Sequence, residues 1–146
     1  MEEVIFNIMQ LLQAAMPELS LIDEDYGQLE TEEDTYPVTF PCVLIGNNDT
    51  DWQTLSNNAQ RGDVSLTVRL AIDCYDDTHL GSNTEELIAS RLKFAAKVYT
   101  SLQGQRVSVS ATKLNRIKSR SYGIAHGIKV YDTMFSFRFM DESLCS

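Results

Sequence analysis

Lys and Arg are missing from the first sixty residues of this 146-residue chain, which carry twelve acids instead. Residues 61–146 hold all twelve Lys/Arg with nine acids, so the halves stand at −12 and +3. Cysteine is also scarce. Cys42, Cys74 and Cys145 are widely spaced and include no CxxC pair, which argues against a disulfide framework or a zinc site and fits a reducing compartment. Cys42 and Cys74 read as small core residues. Only two histidines occur, His79 and His126, and neither has a motif partner for nucleophilic or acid–base catalysis. The seven glycines are scattered, so no phosphate-cradling loop is present. No run approaches the roughly 20 apolar residues of a membrane helix, and the glutamates after Met1 argue against a secretory signal. The net charge of −9 disfavours unassisted contact with nucleic acid.

The patterning that is present predicts one α+β domain over residues 1–146, a mainly antiparallel sheet with two helices packed on one face. A domain of this size buries about two-thirds of its unfolded surface and needs no staple. Residues 2–16 place Val4, Ile5, Ile8, Met9, Leu11, Leu12, Ala15 and Met16 on one arc, and Pro17 ends the helix. Phe6 falls outside that arc, as an ordinary exposed residue or as part of a subunit contact. A short strand is expected at 19–26. The acid-rich residues 23–36 then read as a solvated loop or a docking surface for a basic partner.

Val38 to Gly46 reads as a strand whose true start, or edge position, is marked by Pro41. The continuous apolar run Cys42-Val43-Leu44-Ile45 calls for cover on both faces. Residues 46–60 read as a long polar loop holding Trp52, either a cap on the core or an anchor buried on assembly. Residues 64–75 alternate without error, with Val64, Leu66, Val68, Leu70, Ile72 and Cys74 on one face. Extended, they span about 40 Å, so the strand bends or projects as an arm.

Ser82 and Glu85 form a capping box for a helix over 83–102, stopped at Gly104. Its arc joins Leu87, Ile88, Leu92, Phe94, Ala95, Val98, Tyr99 and Leu102. Arg91 projects into that arc, as a snorkelling stem meeting Asp73 or as half of an intersubunit ion pair. Val107, Val109 and Ala111 alternate as a strand. Arg116, Lys118 and Arg120 fall on one face of an extended segment, residues 122–127 form a turn, and a last strand covers 128–140. With Lys113 these three cations make a basic stripe, which reads as a solvated face, a site for an acidic protein (a neighbouring copy's N-terminal half included) or a nucleic-acid contact. Asp73, Asp76, Asp77 and His79 are the only grouping suggestive of a metal-dependent or ligand-binding enzyme, and the three that share one polar loop, Asp76, Asp77 and His79, make a commonplace set. No catalytic, cofactor or metal residue is therefore assigned, and no cofactor is expected. The candidate subunit-interface residues are Phe6, Trp52, Arg91, Arg116, Lys118 and Arg120.

The N-terminal helix, the segment Phe40-Pro41-Cys42-Val43-Leu44-Ile45-Gly46, the Trp52 region, the long alternating strand, the second helix and the ending Met134-Phe135-Ser136-Phe137-Arg138-Phe139 together resemble the tail terminator, or minor tail, proteins of long-tailed bacteriophages and prophages. The resemblance implies a hexameric ring of this chain that sits on the tail tube, ends its polymerisation and offers its other face to a head-connector protein. DNA passes through such a ring without sequence-specific binding, and no membrane is involved. The protein would work in the host cytoplasm during assembly and then in the virion tail. A different head–tail joining protein and a monomeric adaptor are the alternatives within the non-enzyme class. A ring needs two unlike patches that meet, and the charge split provides them.

Overall fold

The computed structural model describes residues 1–74 and 84–144. Helices α1 (Glu2–Ala15) and α2 (Thr84–Leu102) accompany strands β1 (Leu21–Glu24), β2 (Cys42–Thr54), β3 (Gln60–Asp73), β4 (Asn115–Ile124) and β5 (Ile128–Asp141). Among the described residues the strands form a five-stranded sheet in the order β1-β2-β3-β5-β4. β1 runs parallel to β2 and the other pairings are antiparallel. The fold is α+β, with both helices on one face, as the sequence pattern predicts.

The apolar alternation of β3 sets the core. Val64, Leu66, Val68 and Leu70 face α1 and α2, joined by Val43 and Ile45 of β2 and Phe135 and Phe137 of β5. Val4, Ile8 and Leu12 of α1 and Val98 and Leu102 of α2 close over them. The opposite face of the sheet carries a second apolar layer of Leu29, Cys42, Leu44, Ala71, Ile128 and Val130. Tyr36, Val38 and Phe40 cover it. This is why Cys42 to Ile45 are all fully buried: one layer lies under the helices, the other under the loop after β1. That loop is therefore not a freely solvated acidic segment, since Gln28 and Leu29 are buried and Tyr36 Oη donates to Ala125 O at 2.9 Å.

The polar stretch 46–60 is a strand continuation, not a loop. β2 runs on to Thr54 and pairs with β3 as far as Thr54↔Gln60, with a bulge between Gly46 and Asp49. Sequence periodicity misses it because residues 47–54 lie beyond the helices, nearly all exposed, so no apolar alternation marks them. The connecting turn puts Asn57 and Asn58 at positive φ, a region asparagine tolerates better than most residues. β2, β3 and the end of β5 thus project as an arm. Trp52 sits on it opposite Gly62. A Cβ on Gly62 would come within 2.9 Å of the Trp52 ring and 2.7 Å of Thr50 Cγ2, so the glycine makes room for the indole.

Two other expectations fail locally. Residues 107–112 form no strand; only Ala111 bridges to Phe139. Thr112 N donates to Arg138 O (2.9 Å) and Met140 N to Ser110 O (2.8 Å) around that bridge, while Arg106 folds back on the segment, donating from Nε to Ala111 O (3.0 Å) and from Nη2 to Val109 O (2.8 Å). Tyr122 to Ile124 complete β4, and the turn shrinks to Ala125–Gly127. In α2, Ile88 and Leu92 are exposed, because the helix crosses the core only with its second half. The Ser82–Glu85 capping box, Asp76, Asp77, His79 and Cys145 involve positions outside the described residues.

Two outcomes follow from this packing. Phe135→Ala removes a fully buried ring from the helix-covered core and should cost about 3–5 kcal/mol in denaturant unfolding. Burial pushes the Cys42 thiol from 9.0 up to about 12, against an opposing hydrogen bond with the Ala71 backbone and with a smaller raising contribution from Asp25. In the native protein it should stay unlabelled by iodoacetamide at pH 8. Because the folded pKa is the higher one, the associated stability is intact below pH 9 and declines as pH rises toward 12.

Candidate functional site

The most organised polar group lies on the face of the sheet away from the helices. Arg69 on β3 stands opposite Asp132 on β5. Its Nε donates to Asp132 Oδ1 at 3.0 Å and its Nη2 to Oδ2 at 3.5 Å. Its Nη1 reaches Asp25 Oδ2 at 3.3 Å and Glu30 Oε1 at 3.7 Å. Asp132 also accepts from Arg120 Nη2 (3.3 Å) and Tyr122 Oη (3.1 Å). Arg69, Asp25 and Asp132 are nearly inaccessible, so each buried charge has an opposite one in contact. Burial alone would lower the Arg69 pKa, but the hydrogen bond and charge of Asp132, aided by Asp25, raise it. Burial and the Asp132 charge push the Tyr122 phenol up. The cluster clamps β3, β5, β4 and the segment after β1 into one unit.

The alternation over 64–75 leaves Arg69 on the strand's polar face, while nothing in the pattern brings its partners to it. The available signal was Asp132, the lone acid against seven Lys/Arg in residues 104–140.

The candidate contact residues do not gather at one place. Phe6 is 56% exposed on α1, at the β1 end of the sheet. Trp52 is 45% exposed on the arm. Arg91 shares a cleft beside α2 with Asp73, Glu18 and Lys97. Arg116, Lys118 and Arg120 lie on β4, at the other end of the sheet. They do not share a face as expected, because a bulge separates Arg116 from Lys118. Arg116 turns to the helix side, its guanidinium carbon 3.7 Å from the centre of the Tyr99 ring, a stacked cation–π contact. Lys118 and Arg120 turn to the face of Arg69 and Asp132, lining a polar cleft with Asn47 and Asp49. The bulge leaves Ile117 52% exposed at the sheet edge.

Beyond β4, the helix side is also open. Leu92, Ala95 and Tyr99 of α2 form a groove with Arg116, Ser119 and Ser121 of β4. Among the described residues no three His, Cys, Asp or Glu are grouped as metal ligands, and no helix is long and apolar enough to cross a membrane. The described residues thus present exposed surfaces at the two sheet ends and on the arm, with a buried ion cluster tying β3, β4, β5 and the segment after β1 together.

No protein-family model and no curated protein matches this chain. A solved structure does. The fold is similar to that of a chain from the virion of a native gene transfer agent (GTA) particle. The likeness covers 92% of each chain with a TM-score of 0.62 at 13% identity. At that identity the two share an architecture, not a set of residues.

Replacing Arg69 by Met leaves Asp25 and Asp132 buried without their shared cation. Urea unfolding should show a loss of about 3–5 kcal/mol. Lys97→Met, which breaks an exposed pair with Glu18, should cost about 1 kcal/mol or less in the same assay.

Proposed function

We propose that this chain is a structural, non-catalytic protein of a phage-like virion, and specifically a tail terminator. In this reading copies form a hexameric ring on the finished tail tube, stop further addition of tube subunits and present the opposite face to a head-connector protein. DNA travels through the opening without base readout. Assembly takes place in the host cytoplasm, and the ring remains in the virion tail.

The observation that carries the reading is the fold likeness to a virion chain over 92% of both lengths. Two features of this chain support it. The sheet has unlike ends, acidic at β1 and basic at β4, as a heterologous head-to-tail contact requires. The largest charged cluster is satisfied internally, Arg69 and Arg120 by Asp132 and Asp25, so its role is to stiffen those ends.

Electron microscopy of particles assembled without this chain tests the role directly. Overlong, unfinished tails are expected. Tails of normal length that separate from their heads would contradict capping and favour a neck-joining role instead.

A further inference from the structure

The two ends of the sheet differ in shape as well as charge. At one end β4 bonds only to β5 among the described strands, so its outer edge is open. Arg116, Lys118 and Arg120 are its only charged residues. Between the first two, Ile117 stands half-exposed at the bulge. At the other end, a cleft runs between α1 and β1. Ile5, Phe6, Met9 and Ile22 line it, with Glu2, Asp23 and Glu24 among the acids around it. Arg116 is stacked on Tyr99 and Arg120 is paired with Asp132. Lys118 joins no ion pair among the described residues, and neither do Glu2, Asp23 or Glu24.

The geometry points to one occupant for each end: a second copy of this chain. The β4 edge of one copy seats on the α1–β1 cleft of the next. Ile117 enters the apolar lining beside Phe6 and Met9, while Lys118 meets Glu24 and Asp23 at the rim. An apolar knob flanked by cations fits an apolar cleft flanked by acids, and burial of Ile117 and Phe6 provides the non-directional part of the attraction. The same charges oppose the symmetric alternatives. Two β4 edges would bring like cations together, and two clefts would bring like acids together. The contact is therefore head-to-tail, the type that closes a ring when the rotation between copies is right. This inference rests on the ring-forming reading above and names the surfaces that reading needs.

Sedimentation velocity of the full chain across a concentration series tests it, with three variants at exposed positions: Lys118→Glu, Glu24→Lys and the two combined. Circular dichroism checks that each remains folded. The wild-type chain should form species larger than a dimer. Each single reversal should weaken self-association by roughly ten- to a hundredfold, and the double variant should recover most of it, because a restored opposite pair couples the two sites. A wild-type chain monomeric at every concentration overturns the inference, as does a dimer that grows no further. Single reversals without effect, or a double variant no better than the singles, also overturn it. Reversals that leave a large oligomer intact remove this interface alone and leave the ring reading standing. The tail-length experiment bears on the capping role independently.

Discussion

A guanidinium on the central strand holds the second face of this sheet together. Arg69 reaches Asp132 on β5 and Asp25 in the segment after β1, and Asp132 in turn takes Arg120 and Tyr122 from β4. The segment after β1, the central strand β3 and the β4–β5 hairpin are thereby tied at one point. Removing two carboxylates and a guanidinium from water is unfavourable, and the arrangement is stable only because every charge has a close opposite partner. The cover over the second face goes with that closure. With it, the loop 25–41 can lie over Cys42, Leu44 and Ala71, and β4 is held at the far end of the sheet in a defined register.

That closure bears on the proposed assembly role, which works through exposed surfaces. The helix-covered core and the loop-covered core sandwich β2 and β3 and, among the described residues, leave the two ends of the sheet uncovered by any further strand. One end is basic and the other acidic, a direct consequence of a sequence whose cations all follow residue 60. In the proposed ring, that charge split would favour head-to-tail contact over symmetric contact between copies.

How much of this is legible in the sequence varies with the physical signal. The α1 arc and the β3 alternation are written in apolar contrast, and both stand where the periodicity puts them. The buried run Cys42–Ile45 announces a strand with cover on both faces, and it has that cover. The arm at 47–54 is illegible because its side chains are exposed and polar, while the pairing that makes it a strand is made by backbone groups common to every residue. At 107–112 the alternation is present but the strand is not, because pairing with β5 is confined to Ser110 and Thr112 around the single bridge at Ala111. The bulge at Ile117 has no marker in the sequence, yet it decides which way Arg116 and Lys118 point. The Arg69 cluster is half legible: alternation places the residue, but only the fold brings Asp25 and Asp132 to it.

The central claim is that unlike ends of one sheet bind each other from copy to copy. Electron cryomicroscopy of the assembled chain, at a resolution that traces strands, tests it most directly. The account predicts a closed ring in which every contact joins β4 of one copy to α1 and β1 of the next. Symmetric pairs of β4 edges, or an assembly that leaves both sheet ends free, would contradict it.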